Sequence, residues 1–164
     1  METKQWFIGI AVFLLIGCAP VISENVLKSV DKNVTYRALS GNPDQYKGKT
    51  VLLGGSILET IPTANKTVIT ILQYPLASNN RPEVTSPSQG RFLVEVEGFL
   101  DPAIYSAGRR ITVAGAATGK ETRKLGQINY TYPVLNSKEL YLWPLSGQDS
   151  GPRFHIGVGV GTGF

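Results

Sequence analysis

Short runs of β-forming residues, separated by clusters of Gly, Pro, Asn and Ser, fill the chain from about residue 34 onward. Runs of this kind predict strands joined by turns. The four residues PTAN, 62–65, separate the run 49–61 from the run 66–76, and a connection of this length predicts a hairpin. The predicted strands are 49–61, 66–76, 91–99, 109–118, 127–135 and 139–145.

The third run predicts a strand with one buried face. Alternation places Phe92, Val94 and Val96 on one face. The opposite and largely wet face would carry Arg91, Leu93, Glu95 and Glu97. In the first run, the neighbouring Gly54 and Gly55 predict a bulge or tight bend, as when a sheet curls into a barrel.

An internal repeat joins the segment NPDQYKGKTVLLGG, 42–55, to DPAIYSAGRRITVAG, 101–115. Each copy starts with an Asx-Pro pair, which suits the N-cap and first position of a helical turn. Gly48 and Gly108 suit the left-handed residue that ends such a turn. Asp101 is therefore interpreted as a cap rather than a catalytic carboxylate, because Asn42 fills the same place. Two such units predict an all-β fold, a small OB-like closed β-barrel with one or two short helical turns.

The composition is that of one globular domain. The chain has 164 residues, 42% hydrophobic and 17% charged, and its 18 Gly and 10 Pro disfavour a helical bundle. The net charge of +4 is spread over scattered Lys and Arg rather than a basic run. A solvated surface is predicted, with no nucleic-acid partner.

Cys18 is the single cysteine, so neither an internal disulfide nor a multi-Cys zinc site can form. It follows the uncharged run WFIGIAVFLLI, 6–16, which is shorter than the roughly twenty residues of a membrane-spanning helix. A run of this length suits the apolar core of a signal peptide. From these observations alone Cys18 is a free thiol, an intermolecular bridge, a nucleophile or a modified residue.

Leu15, Ile16, Gly17 and Cys18 resemble a bacterial lipobox. The resemblance implies a diacylglyceryl group on the Cys18 thiol, cleavage before Cys18, and an acyl chain on the new amino terminus. No other cofactor is predicted. Two or three chains anchor a protein stably, whereas one does so only marginally. Ala19, where inner-membrane lipoproteins often carry Asp, implies the outer membrane, with the mature chain most simply facing the periplasm.

Several further motifs resemble the Slp-type, starvation-inducible outer membrane lipoproteins, from the lipobox to about residue 145. The most specific is Gly98-Phe99-Leu100-Asp101-Pro102, with Gly90-Arg91-Phe92-Leu93 just upstream. The others are Tyr46-x-Gly48, Gly54-Gly55-x-Ile57, Gln73-x-Pro75-Leu76, Arg81-Pro82, Tyr130-x-Tyr132-Pro133 and Leu142-Trp143. The resemblance implies a lipid-anchored domain linked to starvation or envelope stress, and it carries over no catalytic residue.

Four segments are therefore expected. Residues 1–17 would form a lipoprotein signal peptide, 18–33 the lipidated amino terminus and a tether with a short helix, and 34–146 the Slp-like β-barrel domain. Residues 147–164 would form a Gly-rich tail that is flexible or pairs with a sheet edge.

Ligand binding is a second hypothesis. The loop 77–90 is long, polar and proline-bearing, and is either a binding loop or a disordered excursion. Arg81 and Arg91 are the candidates for contacting an anionic group. Tyr130 and Tyr132 are the aromatic candidates, since OB barrels bind sugars or nucleic acids with such side chains.

Enzyme chemistry is poorly supported by the sequence. His155 is the sole histidine, so neither a metal site nor a Ser/His/Asp triad is expected. Glu95 and Glu97 share a strand face, but solvation or pairing with lysine is a better interpretation than a glycosidase pair. The chain is thus expected to be a non-enzymatic lipoprotein whose partners are outer membrane lipid and an envelope protein. The alternative is an OB-like module that binds a glycan or an anionic envelope ligand.

Overall fold

The computed structural model describes residues 20–145. Strands dominate this range, so the expected all-β class is confirmed. The two α-helices and the single 3-10 helix described are short. In chain order the elements are α1 (Glu24–Ser29), α2 (Tyr36–Gly41), the 3-10 helix Pro43–Tyr46, β1 (Thr50–Pro62), β2 (Lys66–Tyr74), β3 (Gly90–Glu97), β4 (Arg110–Leu125) and β5 (Ile128–Leu142).

The five strands form one ring of hydrogen-bonded pairs in the cyclic order β1-β2-β3-β5-β4. β1 pairs antiparallel with both β2 and β4, so the predicted hairpin between the first two runs is confirmed. β3 and β5 pair in parallel, over Leu93–Glu95 and Val134–Asn136. The other pairings are antiparallel. Every strand thus has a partner on both sides along part of its length.

The main core fills the inside of this ring. Phe92 and Val94 are fully buried there and Val96 packs against them, as the alternation of β3 predicts. The prediction that Leu93 lies on a wet face is wrong. Leu93 is fully buried in a second, smaller cluster outside the ring, with Val68, Tyr132 and Val134.

The second cluster exists because β4 and β5 are longer than the sequence indicated. β4 continues to Leu125 rather than 118, and β5 is one strand where two were predicted. The pairing register shifts between Ala114 and Gly115, leaving Lys138 opposite no partner, and this bulge lies where the sequence predicts a gap between two strands. We call residues 119–134 the arm; its Tyr132 and Val134 pack against the outer face of β2 and β3.

Both repeat copies form a turn at the predicted place, but only the second is capped by its Asx side chain. The first contains the 3-10 helix Pro43–Tyr46, where Asn42 makes no side-chain cap bond and donates its amide to the Gln45 side chain at 3.2 Å, so the prediction of a capping Asn42 is wrong. In the second, the Asp101 carboxylate accepts a hydrogen bond from the N–H of Ala103 at 2.8 Å. Gly48 and Gly108 have φ of +83° and +85°, as predicted. Tyr46 and Tyr105 both pack against the main core.

The paired glycines of β1 have a different role from the one predicted. The irregular register of β1 falls between Ile57 and Glu59, not at the glycines. A Cβ on Gly55 would lie 2.0 Å from the carbonyl oxygen of Leu72, and one on Gly54 would lie 2.6 Å from the side chain of Leu76. Both glycines therefore allow close packing, Gly55 against the backbone of Leu72 and Gly54 against the side chain of Leu76.

Residues 20–33 include α1 and run along the ring. Ile22 is fully buried. Ser23 donates from its N–H and its hydroxyl to the Glu139 carboxylate, at 3.0 and 2.7 Å. Val30 forms an isolated parallel bridge with Thr50, the first residue of β1.

Candidate functional site

The arm and the outer face of β1–β3 enclose a groove of about 320 Å³, which we call the arm groove. Three of its charged residues are basic and one is acidic. Its lining residues are Leu58, Glu59, Thr70, Arg91, Arg123, Lys124, Leu125 and Tyr132. Two of the four predicted ligand residues, Arg91 and Tyr132, are therefore in one place.

Two tyrosines hold the backbone at the start of β3. The N–H of Arg91 donates to the Tyr130 hydroxyl at 3.0 Å, and the Tyr36 hydroxyl donates to the carbonyl of Arg91 at 2.9 Å. Burial raises the pKa of Tyr36 well above its usual value, so this hydroxyl stays protonated as a donor. Tyr130 and Tyr132 have ring centroids 4.6 Å apart. Tyr132 is 4% exposed, so this pair mainly fixes the groove wall.

The basic residues of the arm groove differ in their availability. Arg123 pairs with Glu121 through two hydrogen bonds of 2.7 and 3.2 Å. That contact lowers the pKa of Glu121 and raises the pKa of Arg123. Within residues 20–145, no ion pair includes Arg91 or Lys124. Those two cations are consequently the ones that an anionic group would meet first.

Arg81 lies in a different groove, beside the loop 77–90. This second groove has a volume of about 450 Å³ and is also lined by Glu83 and Arg110. The Arg81 guanidinium lies over the Trp143 ring, 5.3 Å from its centroid. The sequence-predicted set thus divides, with Arg91, Tyr130 and Tyr132 together and Arg81 apart.

The loop 77–90 is packed against the ring. Ala77 donates its N–H to the carbonyl of Arg81 at 2.9 Å, and Glu83 donates to the carbonyl of Pro75 at 2.9 Å. Thr112 donates to the carbonyl of Asn80 at 2.6 Å. Of the two expectations for this loop, the disordered excursion is therefore wrong.

The arm groove also contains residues that the sequence analysis missed. Arg123 and Lys124 belong to the scattered Lys and Arg of the sequence, and no sequence pattern points to Glu59. These residues could have been assigned to the groove only by recognising that β4 continues beyond residue 118, because a long β4–β5 hairpin is what brings Arg123 and Lys124 back toward Arg91.

Two of the three candidate acids, Glu95 and Asp101, make structural contacts, and the third, Glu97, is exposed. Lys66 pairs with Glu95 at 2.5 Å, as the lysine-paired interpretation predicts, and Asp101 caps its turn. Residues 20–145 contain no cluster of three or more His, Cys, Asp or Glu suited to a metal ion. No helix within that range is long and apolar enough to cross a membrane. The lipobox residues, Cys18, His155 and the tail 147–164 lie outside the described residues.

The sequence matches a family of bacterial envelope proteins. The family model of the "Outer membrane lipoprotein Slp family" covers residues 15–156, from the lipobox through the whole ring and beyond. The chain belongs to this family, and the resemblance seen in the sequence is confirmed. An outer membrane location and a lipoprotein character follow from membership.

Relatives from two bacteria agree with this assignment. A protein of Haemophilus influenzae named "Uncharacterized protein" is 40% identical over 113 residues, 68% of this chain and 61% of its own length. The chain therefore spans less than two thirds of that relative. In Escherichia coli, "Uncharacterized lipoprotein YeaY" is 30% identical over 85% of this chain and 72% of its own. "Outer membrane protein Slp" is 27% identical over 81% and 71%.

A solved structure is also similar in part. It is the crystal structure of Schizosaccharomyces pombe Pot1pC bound to single-stranded DNA, at 8% identity and a TM-score of 0.29. The match covers 63% of this chain and 82% of the other.

Proposed function

We propose that the chain is a non-enzymatic lipoprotein held on the periplasmic face of the outer membrane through Cys18, with a role in starvation or envelope stress. The observation that carries this proposal is the lipobox of Leu15, Ile16, Gly17 and Cys18 at the start of the segment that matches the Slp family. Since the thiol and the new amino terminus would both be acylated, the anchor would be stable rather than marginal.

The finer description of the domain belongs to the same proposal. We interpret the cyclic strand order β1-β2-β3-β5-β4 as an OB-type closed barrel, a five-stranded Greek-key design. The non-enzymatic role is supported by what the carboxylates do, because Asp101 caps a turn and Glu95 pairs with Lys66. Both contacts give these carboxylates a structural role.

Metabolic labelling tests the anchor. Cells expressing the wild-type chain or Cys18→Ser would be fed an alkyne fatty acid, and label on the purified proteins would be compared. We expect strong labelling of the wild type and background labelling of the variant. Equal labelling of the two would contradict the proposal.

A second candidate function is supported by the arm groove. Arg91 and Lys124, which have no ion pair within the described range, flank a groove backed by the Tyr130–Tyr132 pair. This chemistry suits an anionic glycan or another anionic envelope ligand, with the cations contacting the charge and the tyrosines fixing the wall.

Thermal-shift measurements with sulfated and phosphorylated glycans test this second function. Lys124→Gln and Arg91→Gln should remove a ligand-induced rise in Tm. Arg37→Gln removes the same charge from the exposed face of α2 and should preserve the rise. An unchanged Tm with every glycan in the panel would leave the arm groove without this role.

A further inference from the structure

The first described residues are fastened to the ring almost at once. Ile22 has no exposed surface, and Ser23 makes three hydrogen bonds to the Glu139 carboxylate, two from its N–H and one from its hydroxyl. These contacts join residues far apart in sequence, so they fix the start of the chain to β5. A free tether cannot extend past Ile22 without breaking them.

The next residues continue the attachment. After α1, Val30 bridges to Thr50 and Asp31 donates its N–H to the Thr50 carbonyl at 2.8 Å. The Asp31 carboxylate also pairs with Lys49 at 3.1 Å. Together with Ile22 and Ser23, these contacts hold the whole segment 22–31 at the end of the ring where β1 begins. We call this part of the surface the anchor-proximal end.

The covalent distance from Cys18 to this end is short. Four residue steps separate Cys18 from Ile22, and at about 3.6 Å per step the chain spans at most about 14 Å. A domain of this size has a radius of gyration of about 14 Å. The link is therefore no longer than the radius of the body it carries, and the domain cannot rotate freely above a bilayer.

From these lengths we propose that the anchor-proximal end lies against the lipid surface, with the β1–β2 hairpin directed away from it. The proposal rests on lipidation of Cys18, and its partner is the bilayer that holds this chain's own acyl groups. β1 rises about 3.3 Å per residue from Thr50 to Pro62, which separates the two ends by up to about 40 Å. Gly98 donates its N–H to the carbonyl of Asn65 in this hairpin at 3.1 Å, so the neighbouring exposed Phe99 would face the aqueous side with it.

The orientation is attributed to the covalent link rather than to charge, although Lys49 and Lys138 also lie at this end. The segment 20–33 contains two acidic residues and two lysines, so its formal charge is zero. An electrostatic contact with anionic lipid would weaken as salt rises, because charges farther apart than about 8 Å are screened at physiological ionic strength. The short covalent link instead predicts an orientation that is insensitive to salt and lost when the link is lengthened.

Fluorescence quenching tests the orientation. The lipidated protein would carry one added cysteine, either Lys28→Cys in α1 or Ala64→Cys at the hairpin tip, both at exposed positions. After labelling, the protein is reconstituted in phosphatidylethanolamine–phosphatidylglycerol vesicles with a headgroup-attached quencher. We expect several-fold stronger quenching at position 28 than at position 64, in low and high salt. Equal quenching at the two positions would overturn the proposal.

A lengthened link provides the matched control. Inserting about twenty Gly and Ser residues between Ala19 and Pro20 adds a r.m.s. reach of about 25 Å. The difference between the two positions should then shrink, and its persistence would overturn the claim that the link sets the orientation. Protein without an added cysteine reports on the anchor separately, because a lipidated Cys18 takes no thiol label whereas a free one does.

Discussion

Gly48 and Gly108 donate backbone N–H hydrogen bonds at opposite ends of the β1–β4 pairing. Gly48 precedes β1 and donates to β4, whereas Gly108 precedes β4 and donates to β1. Gly48 donates to Ala117 of β4 and Gly108 donates to Ile57 of β1, both at 2.8 Å. The two donors and the two acceptors are the same number of residues apart. The sequence repeat is therefore an approximate twofold relation between β1 and β4, with one helical or tight turn closing each end.

Substituting either glycine should destabilise the protein by a similar amount. A Cβ at Gly48 or Gly108 would contact nothing within 4 Å, so the cost of Ala comes from its left-handed φ alone. That cost is about 1–2 kcal/mol. Urea denaturation measures it, with Gly41→Ala as the control, because Gly41 is helical and equally open. The control should be neutral or slightly stabilising, and a comparable loss there would contradict the explanation.

Thr67 should be far more sensitive to loss of its hydroxyl than Thr70. Both threonines are buried on β2, but the Thr67 hydroxyl donates to the Gly98 carbonyl and accepts from the N–H of Leu100, each at 2.9 Å. Thr67→Val leaves a buried N–H and carbonyl unsatisfied, which costs about 1–3 kcal/mol. Within residues 20–145 the Thr70 hydroxyl makes no side-chain hydrogen bond, so Thr70→Val should cost less than half as much in the same urea titration.

Tyr36→Phe should reduce stability and flatten its alkaline dependence. The lost hydroxyl is the donor to Arg91, worth about 0.5–1.5 kcal/mol. Because burial raises the pKa of Tyr36 above 10.0, the unfolded chain loses this proton first, and stability falls as pH rises past 10. Thermal unfolding between pH 8 and 11 measures both effects. Tyr46→Phe, whose hydroxyl has no hydrogen bond within the described range, should leave the stability at pH 8 close to that of the wild type.

The Asp44 cluster should contribute stability that disappears in acid. Lys47 and Lys120 lie 2.9 and 3.0 Å from its carboxylate and lower its pKa below 3.8. A lowered folded-state pKa contributes stability above the unfolded value and loses it as pH falls through the folded value. Asp44→Asn should thus lower Tm at pH 6, and this loss should shrink as the pH falls toward 2. Because the cluster is exposed, high salt should shrink the difference. A difference that persists at pH 2 would assign the effect to something other than charge.

The local chemistry of turns was predictable from sequence, whereas the packing of distant segments was not. Gly48 and Gly108 were recognised because an Asx-Pro start and a following Gly act over a few residues. The burial of Leu93 was missed because it depends on the arm, whose length is set by β4–β5 pairing. The attachment of Ser23 was missed for the same reason, since its partner Glu139 is distant in sequence. In the arm groove, Arg91 was identified but Arg123 and Lys124 were not.

The central claim is that Cys18 carries the lipid that attaches this domain to the outer membrane. Intact-mass measurement on protein purified from the outer membrane fraction tests it most directly. We predict a chain that begins at residue 18 and exceeds the mass of residues 18–164 by one diacylglyceryl group and one acyl group. A chain that begins at Met1, or one whose Cys18 thiol is unmodified, would contradict the account.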